Sequence, residues 1–70
     1  MAKPETPLEM AERHVREGER RMSELRTRIA ELERDGHEDA AHNARSLLFI
    51  FEETQRFAFN HLCYERELKQ

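Results

Sequence analysis

Leu8, Ala11, Val15, Gly18, Met22, Leu25, Ile29 and Leu32 follow one another at alternating steps of three and four residues. That spacing aligns all eight on one stripe of an α-helix, the pattern by which one helix packs on another. Thr6-Pro7-Leu8-Glu9 marks the start of this helix, with Thr6 as cap, Pro7 at the first helical position and Glu9 closing a reciprocal capping box. Arg34-Asp35-Gly36-His37 marks its end, because glycine takes the left-handed conformation that terminates a helix without steric cost. Glu38 and Asp39 then sit at the positive end of a second helix. The expected elements are helix 1 over about 7–35, a turn at about 36–37 and helix 2 over about 38–67, a single helical-hairpin domain spanning 1–70.

Each helix is expected to be on the order of 45 Å long, and so short a connection forces the two to run antiparallel. Folding about Gly36 pairs Leu32 with Ala41, Ile29 with Ala44, Leu25 with Leu48, Met22 with Phe51, Val15 with Ala58 and Ala11 with Leu62. Small residues opposite large ones suit interdigitated, coiled-coil-like layers. Gly18 interrupts helix 1 at a cost of roughly 1 kcal/mol relative to alanine. Its expected purpose is to give room to an aromatic, Phe51 or Phe59. On the exposed face, Glu9/Arg13, Glu12/Arg16, Glu17/Arg21 and Glu24/Arg28 place acid four residues before base, pairs worth roughly 0.2–0.5 kcal/mol each. Met1 to Glu5 and the last few residues are expected to be loose.

Helix 2 carries more apolar surface than one partner helix can cover. Ala41, Ala44, Leu48, Phe51, Ala58 and Leu62 serve the intramolecular seam, and a second set remains: Leu47, Ile50, Thr54, Phe57, His61, Tyr64 and Leu68. A lone hairpin would leave Ile50, Phe57, Tyr64 and Leu68 in water. Burying a large apolar side chain is worth roughly 1.5–3 kcal/mol, so two copies of this seam contribute on the order of 10–20 kcal/mol against an association cost of about 4–15 kcal/mol. The pattern therefore predicts a homodimer through helix 2, closing a four-helix bundle. A different helical partner would use the same surface. Phe49 lies off both seams, beside Arg56, Asn60 and Cys63, and is the candidate contact for a further protein partner.

Composition narrows the function classes. Seventy residues make a chain too small to bury a large core without a staple. Cys63 is the single cysteine, which excludes an intrachain disulfide and suits a reducing compartment, so the staple is expected to be a second chain. The start lacks the apolar run of a signal peptide, and no stretch approaches the roughly twenty apolar residues of a membrane span, so a cytoplasmic protein without a membrane partner is expected. Charged residues make up 39% of the chain, but acid and base are interleaved and the net charge is −3. Arg13, Arg16, Arg20, Arg21, Arg26 and Arg28 make helix 1 arginine-rich and keep weak nucleic-acid association as an alternative. Glutamates at 9, 12, 17, 19, 24, 31 and 33 interrupt the basic stripe a nucleic-acid reader shows.

Candidate chemistry is sparse. His14 and His61 fall on the same flank of the hairpin with Glu65 one turn beyond, a set that would suit a transition metal or a pH-responsive bundle. Two imidazoliums held close in an interface would repel below about pH 6.5. A di-metal bundle repeats Glu-x-x-His on facing helices; that repeat is absent, and neither metal nor cofactor is expected. His37 and His42 flank the turn as solvated residues. Cys63 and His61 lack a third group to orient them as a nucleophile pair, and phosphate-loop, dinucleotide and zinc-finger signatures are missing. An enzyme is not expected.

The segments Ala11-Glu12-Arg13-His14-Val15-Arg16-Glu17-Gly18-Glu19 and Ile29-Ala30-Glu31-Leu32-Glu33-Arg34-Asp35-Gly36-His37, followed by Leu47-Leu48 and Phe51-Glu52, resemble a group of small uncharacterised alphaproteobacterial helical-hairpin proteins. The likeness covers most of the chain. It implies a bacterial, cytoplasmic, free-standing small protein and assigns no functional residue. The expected whole is an all-α antiparallel hairpin that dimerises and acts as a non-enzymatic interaction or regulatory module.

Overall fold

The computed structural model describes residues 3–69, and two helices account for nearly all of them: α1, Pro7–Arg34, and α2, Glu38–Leu68. The chain is an all-α hairpin. Each end of α1 is built as its sequence signals require. Thr6 Oγ1 accepts from Glu9 N at 3.1 Å, and Thr6 N donates back to Glu9 Oε1 at 3.1 Å, completing the capping box with Pro7 inside it. At the other end Gly36 has a φ of 79°. That left-handed turn lets His37 N reach Leu32 O at 2.9 Å and Gly36 N reach Glu33 O at 3.2 Å, so carbonyls the helix leaves open are satisfied by the turn itself. α2 starts without a side-chain cap; Glu38 and Asp39 oppose its dipole instead.

The helices lie side by side in a slab of 50 × 28 × 13 Å. A slab one helix thick buries only the seam between its two members. Along that seam Ala11, Val15, Met22, Ile29, Ala41 and Leu62 are buried, with Leu8 and Ala58 packed against the cluster of Ala11, Val15 and Leu62. Ala11, Val15, Ala58 and Leu62, the members of two of the expected meetings, are thus gathered in one cluster.

Three local expectations are corrected. Glu5 is not loose: its two carboxylate oxygens take Arg13 Nε at 2.9 Å and Nη2 at 3.1 Å. None of the four expected acid-before-base pairs of helix 1 forms among the described residues. Glu9 is committed to the cap, and Arg13 turns to Glu5 and, at 3.2 Å, to Glu17. The third correction is at Gly18, whose neighbour is Gln55 and not an aromatic ring. Met1, Ala2 and Gln70, included among the ends expected to be loose, lie outside the described residues.

The cap is also where acidity should be felt first. The Arg13 guanidinium holds the Glu5 carboxyl below the usual glutamate range, and the Thr6 backbone N–H, aided by the Thr6 hydroxyl, does the same for Glu9. A carboxyl that titrates lower in the folded chain than in the unfolded one binds protons preferentially when unfolded. Its contribution is complete above the ordinary value of 4.5 and is lost as pH falls through the lower folded value. The amide of Glu9 should therefore lose hydrogen-exchange protection below pH 4.5 while amides in the centre of α1 keep theirs. Uniform loss along the helix would show that this cap does not fray on its own. Thr6→Ala should cost about 1 kcal/mol at neutral pH.

Candidate interaction surface

A heptad frame taken from the α1 seam separates the two faces of α2. With Leu8, Val15, Met22 and Ile29 as position a, and Ala11, Gly18, Leu25 and Leu32 as position d, the facing residues of α2 are Ala41, Leu48, Gln55 and Leu62 at a, and Ala44, Phe51, Ala58 and Glu65 at d. The second apolar set then occupies positions g and c. This face is open in the single chain: Leu47, Ile50, Thr54, Phe57, His61, Tyr64 and Leu68 are all exposed. Phe57, at 72%, is the most exposed large apolar residue.

The two flanks of the hairpin seam differ in chemistry. On one side Arg45 reaches Glu33 at 3.3 Å and Arg26 reaches Glu52 at 3.8 Å, ion pairs that bridge the helices between e positions. Exposed pairs of this sort stabilise by only about 0.2–1 kcal/mol each, yet they favour one register and close that flank with charge. The opposite flank is a groove of about 280 Å³. Its α1 wall is His14, Glu17, Gly18 and Arg21, and its α2 wall is Phe51, Thr54, Gln55 and Ala58, with Ile50 at the edge. Each wall has the spacing i, i+3, i+4, i+7, the four-residue diamond into which a helix receives a side chain from a neighbour.

Gln55 is the residue of this site that the apolar pattern passes over. It stands where the inner seam of α2 steps from Phe51 to Ala58, and its Nε2 donates to Val15 O across the hairpin at 2.8 Å. A Cβ at Gly18 would overlap the Gln55 amide, lying 2.8 Å from Cδ. The signal available in sequence was the gap itself, a polar residue on an apolar seam with glycine in the layer opposite. Such a residue selects register at some cost in stability. Two opposed effects set the outcome of Gly18→Ala: alanine raises helix propensity by about 1 kcal/mol, while displacing the flexible amide forfeits a hydrogen bond worth about 0.5–1.5 kcal/mol. The single change should be nearly neutral. In a Gln55→Ala background the same change should stabilise by about 1 kcal/mol, and urea melts showing equal effects in both backgrounds would remove the coupling.

The remaining candidates are placed as follows. His61 Nε2 lies 3.6 Å from Glu65 Oε1, and the Glu65 side chain is tucked toward the seam at 16% exposure. His14 lies on the groove wall. Among the described residues no group of three or more histidine, cysteine, aspartate or glutamate side chains is gathered as a metal would need, so His14, His61 and Glu65 do not form one. His61 and Glu65 are neighbours, but no third candidate ligand joins them. Phe49 is exposed on the far side of α2, and Cys63 is half-buried and free. Of the arginines proposed for nucleic acid, Arg13, Arg26 and Arg28 are engaged with Glu5 and Glu17, Glu52 and Glu31. No helix of the described residues is long and apolar enough to cross a membrane. Comparison with known proteins finds no matching family model, no matching curated protein and no matching solved structure.

Proposed function

We propose that this chain is a non-enzymatic interaction or regulatory module of the cytoplasm that works as a homodimer, its two copies joined through the outer face of α2. One observation carries the reading, the surplus of surface. The chain exposes 5689 Å², whereas a compact monomer of its mass of 8.4 kDa exposes about 4,600 Å². The excess, roughly 1,000 Å², is the size of one partner's share in a standard interface, about 800 Å². The row of Leu47, Ile50, Phe57, Tyr64 and Leu68 contributes to it, an exposed apolar row of the kind that marks an interaction site.

Dimerisation in this mode leaves Phe49 and its surroundings free on the opposite side of α2, where they offer a helical surface to a further protein. Sedimentation at micromolar concentration tests the first step. The expected species has twice the chain's mass; a fully helical single copy would overturn the reading.

A further inference from the structure

We infer that the groove beside Gly18 and Gln55 is completed by a second copy of this chain, which inserts its Phe57 there while receiving the first copy's Phe57 in return. This rests on the homodimer reading and goes further, because it fixes how the copies are oriented and which residue each contributes to the other.

The groove has the shape of a receptor for one side chain from a third helix. Two diamonds face each other across it, one on each helix, and between them the place of a Gly18 side chain is taken by the Gln55 amide. Its volume of about 280 Å³ is ample for a phenyl ring, since a cavity of about 150 Å³ admits benzene. Its lining includes Phe51, Thr54 and Ala58 of α2 and Gly18 of α1, with the Gln55 amide against Gly18. Polar groups come from both walls, His14, Glu17 and Arg21 on α1 and Thr54 and Gln55 on α2. An apolar knob with a polar rim is what this site fits.

The chain supplies such a knob itself. Phe57 is 72% exposed and lies within one helical turn of Thr54 and Gln55, the centre of the α2 wall. A twofold axis crossing α2 between Thr54 and Phe57 brings each Phe57 over the other copy's groove, and the two insertions are related by that axis, so the contact closes. This requires the two α2 helices to run antiparallel. A parallel pair would instead set Phe57 against Phe57 at one level, leaving both grooves without a ring. The surplus surface of roughly 1,000 Å² per copy matches what such an exchange must cover.

The test replaces Phe57 with a photoreactive benzoyl-phenylalanine, mixes isotopically heavy and light chains, irradiates, and maps the interchain adducts. The expected adducts fall within residues 14–21 and 51–58 of the other copy. A dimer whose adducts lie elsewhere, or which gives none, overturns the insertion and leaves the homodimer standing; a single-copy mass for the unmodified chain overturns both. A second measurement is gentler on the fold. The chain has no tryptophan, so in Phe57→Trp the indole is the sole emitter of its kind. Its emission should shift to the blue as concentration rises through the dimer transition, and a dimer with a water-exposed indole would refute insertion.

Discussion

Phe57→Glu should convert the proposed dimer to single hairpins while leaving the helices intact. The two effects separate because Phe57 takes no part in the hairpin's own seam: it is 72% exposed in the single chain, and the buried residues lie on the other face of α2. Within one copy the substitution exchanges one solvated side chain for another. Across the dimer it removes two buried rings, about 3–6 kcal/mol at 1.5–3 kcal/mol each, and sets two carboxylates against an apolar groove. Loss of the rings alone weakens association by roughly 10²–10⁴-fold. Sedimentation should show the single-chain mass at concentrations where the parent is double, with an unchanged helical spectrum. Retention of the double mass would show that the outer face of α2 is not where the copies meet.

The contrast between what could and could not be read beforehand follows from the range of the forces involved. The ends of α1 were legible because they are decided within four residues: Thr6 and Glu9 satisfy each other, and Gly36 reaches the carbonyls of the turn just before it. The seam was legible because a three-four spacing has one helical meaning. The ion pairs were not. Glu9, Glu5 and Glu17 compete for Arg13 and the Thr6 N–H, and exposed pairs differ by tenths of a kcal/mol, so the winner depends on where the chain before the helix happens to run. Gln55 was missed for another reason. Counting apolar positions treats a polar residue as a gap, and only the geometry of the hairpin shows the amide crossing to Val15 over the space that Gly18 leaves. The groove was hidden likewise, since it needs both walls, which only the folded hairpin brings together. The outer face of α2 was visible in the sequence as surplus, but its cover, on the proposed reading, is a property of two molecules.

That dependence makes a second substitution informative. Leu62→Ala should strike the hairpin's fold and spare the surface that joins the copies. Leu62 is 4% exposed and packs in the cluster with Ala11 and Val15, near the open end where the two helices have no connecting turn to hold them. Truncation there costs about 2–5 kcal/mol, the loss of transfer energy plus the cavity left behind. A chain this short has little to spare, as only six apolar residues among the described ones are buried in one copy. At about 4–8 °C per kcal/mol for a domain of this size, the midpoint of thermal unfolding should fall by on the order of 10–30 °C. The midpoint should nevertheless keep rising with protein concentration, because Leu47, Ile50, Phe57, Tyr64 and Leu68 are untouched and dimerisation still draws on the folded form. Phe57→Glu should behave in the opposite way, with a melting curve that no longer depends on concentration. If Leu62→Ala also abolished the concentration dependence, the copies would no longer be joining, and the outer face of α2 would depend on the hairpin's own seam for its shape.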